Sequence, residues 1–178
     1  MSGRHPAVFF DRDGIVNESP GPGYVERWED FRLQPSFVDS LRIVVERGYA
    51  PVVVTNQRGV GRGVMPRAEL DRIHDGLVAA LAAEGLALAD IRVCTAVTDD
   101  DPRRKPNPGM LTEAAEVHGL DLARSWMIGD SEKDIEAGRR AGCAVTVRVH
   151  PTAPTEATAR LDSMDDLPGY LRAHLPPA

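Results

Sequence analysis

The stretch Ala7-Val8-Phe9-Phe10-Asp11-Arg12-Asp13-Gly14 decides the reading of this chain. Its unbroken apolar run, with no alternation, is the pattern of a strand buried on both faces of a parallel sheet. The run ends on two carboxylates one residue apart, followed by a glycine. Ligands of open α/β sheets bind outside the carboxyl ends of the strands, so Asp11 and Asp13 are expected at the mouth of a site. Neighbouring carboxylates repel each other, and such a pair favours a cation or a shared proton. A plain acidic turn after a strand looks the same locally. The later strands have to decide between the two.

At 178 residues the whole chain, 1–178, reads as one domain, large enough to bury a core. Its composition, 42% apolar and 27% charged, is that of a soluble globular protein. A net charge of −6 argues against nucleic acid or a membrane surface as partner. Cys94 and Cys143 are too few for a disulfide framework, and no signal peptide or membrane span is visible, so a cytoplasmic protein is expected. A monomer is the expected assembly.

Outward from the first strand, Ile15 to Gln34 reads as a long loop rich in glycine, proline and charge, and long loops in compact domains are more often functional than accidental. Pro35-Ser36 opens a helix that turns Phe37, Leu41, Val44 and Val45 inward and stops at Gly48. Ala50 to Val54 is a second buried strand that runs into Thr55-Asn56-Gln57, followed by a basic, glycine-rich loop from Arg58 to Gly63. Pro66 starts a helix with Leu70, Ile73, Leu77, Ala80 and Leu81 on one face. Ile91 to Cys94 is a shorter strand, and Asn107 with Pro108 is expected to cap a helix carrying Met110, Leu111, Ala114 and Val117 inward. Trp126-Met127-Ile128 stops at Gly129-Asp130, Ser131 caps the next helix, and Ala144 to Val149 is the fifth strand. Beyond Pro151 the chain is expected to close with a short helix around Leu167 to Leu171. Strands alternating with helices give an α/β fold with a doubly wound, mostly parallel sheet.

In such a sheet Asp11 and Asp13, Thr55 and Asn56, Arg104 and Lys105, and Asp130 with Asp134 open on one rim. Carboxylates suited to a divalent cation, together with a lysine and hydroxyl or amide donors, fit phosphoryl transfer. Each part alone is a common surface feature; their joint occurrence in order is not.

The order Asp-x-Asp-Gly, strand-Thr, Lys-Pro and Gly-Asp-x-x-x-Asp resembles the haloacid dehalogenase superfamily of aspartate-nucleophile phosphatases. Asp11 to Asn17, Gly23-Tyr24-Val25, Val54 to Gln57 and Arg104 to Met110 are similar to its small capless branch, the heptose bisphosphate and histidinol-phosphate phosphatases. The resemblance runs from about Ala7 to Val149. It implies a Rossmann-like core without a cap domain and hydrolysis of a phosphomonoester through an aspartyl phosphate. A sugar bisphosphate of the heptose type is the implied substrate, and histidinol phosphate the alternative. By the same resemblance Asp11 is the nucleophile, Asp13 the general acid and base, and Thr55 and Lys105 hold the phosphoryl group. Magnesium falls to Asp11, Asp13 and Asp130, with Asp134 in support. Arg12, Gly21, Pro22, Gly23, Tyr24, Asn56, Gln57, Arg58 and Arg104 fall where the branch contacts the rest of its substrate. A phospho-accepting receiver-like domain also gathers acids, a threonine and a lysine at strand ends, but it has no need of an acid two residues after the nucleophile.

The chain departs from the branch at Ile15, Arg58 and Ser131, and most of all in the zinc loop the branch typically carries before Arg-Lys-Pro. Cys94 stands at the first ligand position, but Ala96, Asp101 and Arg103 stand at the others. A structural zinc needs four thiolate or imidazole ligands, which this stretch does not supply. Elemental analysis of the purified protein is expected to find no stoichiometric zinc; one zinc per chain, lost on Cys94→Ser, would overturn this.

Overall fold

The computed structural model describes residues 4–178. Strand β1 (Ala7–Phe10) is buried throughout and lies at the centre of the sheet. It pairs in parallel with β2 (Ala50–Asn56) on one side and β4 (Trp126–Gly129) on the other. Strand β3 (Asp90–Cys94) adds outside β2, while β5 (Val145–Val149) and β6 (Ala159–Leu161) add outside β4. The order is β3-β2-β1-β4-β5-β6, all parallel. The chain order therefore reverses direction at β1, between β2 and β4, and this switch point is where an open α/β sheet leaves a crevice.

Helices α1 (Pro35–Glu46), α2 (Arg58–Gly61), α3 (Arg67–Ala83), α4 (Gly109–His118), α5 (Glu132–Ala141) and α6 (Leu167–His174) connect the strands or follow them. Side chains of a strand alternate between faces, so β1 feeds two cores. Val8 and Phe10 join Phe37 and Leu41 of α1, Leu70, Ile73 and Leu77 of α3, and Leu167 and Leu171 of α6. Ala7 and Phe9 join Met110, Leu111 and Ala114 of α4 and Ala137 of α5. The Phe10 and Phe37 rings meet edge to face at 5.2 Å, pinning α1 against β1. The doubly wound α/β expectation holds. Among the described residues no helix is long and apolar enough to cross a membrane.

Several local expectations need correction. A sixth strand, β6, lies beyond Pro151, where only a closing helix was expected; its residues, two half-exposed and one exposed, carry no apolar run that could announce it. Arg58 to Gly61 is a short helix rather than a loop, because Gly59 lets it pass under the Tyr24 ring, 3.1 Å from where a Cβ would be. Val45 and Val117 face solvent. On α1 the buried stripe runs Phe37, Ser40, Leu41 and Val44, with Ser40 satisfied by donating to Ser36 O at 2.7 Å. On α4 it runs Met110, Leu111, Ala114 and Ala115. Asn107 does not cap α4: its amide donates instead to Asp99 O and Asp101 O, at 3.0 and 2.8 Å, and ties down the loop before it.

The long connection between β1 and α1 is held at both ends. Arg12 O accepts from the backbone N–H groups of Ile15, Val16 and Asn17, closing a tight turn. Gln34 then donates its amide to Gly14 O, Ile15 O and Asn17 O, each at 3.2 Å. Farther out, Trp28 opens a 3-10 turn, stacks on Phe31 at 5.3 Å, and lies against Gly76 of α3. A Cβ at Gly76 would collide with that indole ring. Alanine normally improves a helix interior over glycine by about 1 kcal/mol. Gly76→Ala is nevertheless expected to destabilise the protein, and to stabilise it by about that amount when Trp28→Ala is also present. Denaturant unfolding of the four proteins in this cycle checks it; Gly76→Ala stabilising the parent would refute the contact.

Candidate active site

The carboxyl ends of β1, β2 and β4 bring Asp11, Thr55 and Asp130 together, and the segment before α4 adds Lys105 from the far side. Lys105 is buried, with its ammonium 2.7 Å from Asp11 Oδ1, 2.7 Å from Asp134 Oδ1 and 2.8 Å from Val54 O. Its three protons are therefore all used. Burial alone would make the ammonium easier to deprotonate; the two carboxylates outweigh that and hold it firmly charged. Asp11 is pushed the other way: burial raises its pKa well above the usual range, and Asp134 raises it further, while Lys105 opposes both. Asp130 is pushed up to about 6, by burial first and by Asp134 second.

Oxygens of Asp11, Asp130 and Asp134 lie within 4.8 Å of one another, forming an acidic cluster with Lys105 as the ammonium among them. Negative charge is in excess, and the group as built favours either protons or an added cation. Asp134 is the least available of the three. Its Oδ2 accepts from Ser131 N at 3.1 Å and Ser131 Oγ at 2.9 Å, closing a capping box on α5, while Oδ1 faces Lys105. Asp130 is free of such partners and lies against Gly14, where φ is +91° and any Cβ would strike its carboxylate. The glycine that follows Asp13 is thus required by the turn and by Asp130 together.

Asp13 is held from three directions. Its Oδ1 accepts from Arg12 Nη2 at 2.8 Å, Arg12 Nε at 3.1 Å and Asn17 Nδ2 at 2.9 Å, and its Oδ2 from Gln57 Nε2 at 3.1 Å. Gln57 also donates to Thr55 Oγ1 at 2.8 Å. By contrast, no group of the described residues donates to Asp11 Oδ2, so one oxygen of this half-buried carboxylate is left without a protein donor.

Several residues expected to touch substrate already have partners within the protein. Arg12 has no exposed surface and cannot meet a ligand with its side chain. Asn56 exchanges both of its amide atoms with the Lys105 backbone, at 3.0 and 3.1 Å, and latches that segment to β2. Gln57 is buried between Thr55 and Asp13. Arg104 is buried, with Nε on Asp99 Oδ1 at 2.8 Å and Nη1 on Ala96 O at 3.0 Å. Arg58 donates to Val97 O at 2.9 Å. Gly21, Pro22 and Gly23 are exposed, and Tyr24, half-buried, covers Gly59 and accepts from Arg62 Nη1 at 3.3 Å. Asn17 and His74 belong to the setting of Asp13 and had no expected role. Asn17 follows Asp13 at a spacing a tight turn would bring together, whereas no signal in the sequence links His74 to Arg12, 62 positions away.

A family model described as HAD-hydrolase-like matches residues 102–163. The D-glycero-β-D-manno-heptose-1,7-bisphosphate 7-phosphatase of Escherichia coli K12 is 33% identical over 187 residues, covering 97% of this chain and 97% of that protein. The enzyme of the same name from Yersinia pestis is 35% identical, covering 94% of this chain and 96% of its own. Among solved structures, the D,D-heptose 1,7-bisphosphate phosphatase of B. bronchiseptica, complexed with magnesium and phosphate, superposes with a TM-score of 0.83 at 28% identity. It covers 94% of this chain and 98% of that one.

A carboxyl that is harder to ionise in the folded than in the unfolded state stabilises the fold below its unfolded pKa, and the benefit is lost as pH rises through the folded value. For Asp130 that window runs from about 4 to about 6. In metal-free protein, Asp130→Asn is expected to remove part of the decline in stability across this window. Chemical denaturation at several pH values in chelator checks it; an unchanged slope would contradict the raised pKa.

Proposed function

We propose, from the premise that this chain belongs to the HAD-like hydrolase family and is a phosphatase, that it removes one phosphate from a small sugar bisphosphate. The substrate we assign is D-glycero-β-D-manno-heptose 1,7-bisphosphate, with the 7-phosphate as the group removed, after the relatives of that name that match nearly the full chain. The observation that carries the reading is the Asp11 carboxylate: one oxygen held by Lys105, the other without a donor, at the carboxyl end of the central strand.

In this reading Asp11 Oδ2 attacks phosphorus, and the bond from phosphorus to the sugar oxygen breaks. Asp13 gives its proton to that oxygen, so the sugar leaves as an alcohol and Asp11 carries the phosphoryl group. Water then attacks the aspartyl phosphate, Asp13 takes up the water's proton, and inorganic phosphate leaves as Asp11 is restored. Lys105 opposes the effect of burial on Asp11, making its carboxylate less costly to ionise, and supplies positive charge beside the transferred group. Thr55, buried beside Gln57, is the hydroxyl we assign to a phosphoryl oxygen.

The acidic cluster fits magnesium. Its donors are all carboxylate oxygens, the ligands a hard cation prefers, and its negative charge is in excess over Lys105. Asp11 and Asp130 are the ligands we assign, with the backbone carbonyl of Asp13; Asp134, its oxygens already facing Lys105 and Ser131, supports them. Bound there, magnesium would neutralise charge on the phosphoryl oxygens. We assign the second phosphate to Arg104, where it would compete with the exposed Asp99 carboxylate for the guanidinium. The free thiols Cys94 and Cys143 suit a reducing cytoplasm.

Phosphate release from the heptose bisphosphate is expected to need magnesium and to stop in chelator. Asp11→Asn is expected to lower kcat on the order of 1,000-fold or more while the protein stays folded. A folded Asp11→Asn protein with near-parental turnover would sink the assignment.

A further inference from the structure

Among the described residues Arg12 is the largest side chain without exposed surface. A buried guanidinium is costly unless its donors are used, and their direction shows what holds it. Nε and Nη2 both point to Asp13 Oδ1, at 3.1 and 2.8 Å. Nη1 lies 3.2 Å from Nε2 of His74, on α3. The guanidinium carbon stands 5.8 Å from the centre of the Phe31 ring, within cation–π range. Phe31 in turn stacks on Trp28, which lies against Gly76 of the same helix. The arginine is therefore clamped between the acid it serves and a helix outside the rim.

We propose that His74 and Arg12 form a positioning chain for Asp13: α3 fixes the guanidinium, and the guanidinium fixes the carboxyl that handles the proton. Neither side chain touches substrate. His74 accepts from Arg12 because it is neutral: burial first, and the charge of Arg12 second, push it down to about 4. Asn17 and Gln57 also hold Asp13, but each supplies a single bond, whereas Arg12 supplies two to one oxygen and is itself anchored at its far end. An acid displaced by about 1 Å from its proton's path can cost on the order of 100-fold in rate, so an anchor of this kind has something to protect. The inference rests on the reading of Asp13 as proton donor and acceptor.

The test compares an alkyl phosphate monoester with p-nitrophenyl phosphate, whose leaving group needs little protonation. In the magnesium-loaded protein, His74→Ala is expected to lower kcat for the alkyl ester about tenfold with KM within about twofold, and to lower it less for the nitrophenyl ester. His74→Gln, whose amide oxygen can accept from Arg12, is expected to recover most of the loss. Unchanged kcat in His74→Ala, or equal loss for both esters, would overturn the proposal. Asp13→Asn serves as the control. If it retains turnover of the alkyl ester, the reading of Asp13 has failed; if it loses turnover while His74→Ala does not, only the positioning chain has failed.

Discussion

The arrangement depends on one buried cation. Lys105 places its ammonium between Asp11 and Asp134 and also donates to Val54 O, so it joins the end of β1, the start of α5 and the end of β2. Burying charges costs several kcal/mol each, and attraction between them repays this only when the geometry satisfies every proton. Here it does for the ammonium. Removing Lys105 would leave the Asp11 and Asp134 carboxylates facing one another without a cation, so the lysine is a condition of the fold's rim. The excess negative charge that remains, with Asp11 and Asp130 both raised, makes the site a place for a cation or a proton.

Around that centre most polar side chains look inward. Asn56 clamps the Lys105 backbone, Gln57 bridges Thr55 and Asp13, Gln34 closes the turn that Gly14 begins, and Ser131 completes Asp134. Each of these bonds removes one way for a side chain or loop at the rim to turn. The loop at Gly21 to Gly23 is exposed and Tyr24 half-exposed, so these residues remain open at the surface.

The segment before Lys105 shows how a loop can be held by polar contacts of its own. Asp101 accepts from Arg103 N at 2.8 Å and from the Cys94 thiol at 3.8 Å, and Asn107 grips the carbonyls of Asp99 and Asp101. Asp99 joins Arg104 and Lys133 across to α5. The Arg104–Asp99 pair is buried at one end and exposed at the other, which leaves it sensitive to competing anions in a way a closed core contact is not.

The sequence alone determined the sheet and the acids on its rim, because both rest on local pattern. Ala7 to Phe10 and Trp126 to Ile128 are apolar runs that only a doubly covered strand can bury, and each ends on the carboxylate that matters. Gly14 and Lys105 were legible from the same short stretches, as were the helices whose buried faces keep a 3.6-residue spacing. Only the tertiary structure decided which polar residues face a ligand and which hold the site together. Arg12, Asn56 and Gln57 have the composition of binding residues; that they are spent on Asp13 and Lys105 depends on contacts between segments far apart in the chain. The same holds for β6, too short and exposed to carry a pattern, and for His74, which meets Arg12 across 62 positions because Trp28 and Gly76 let α3 close on the loop. Periodicity records what a segment buries; it does not record what a hydrogen-bonding group will find when the segments meet.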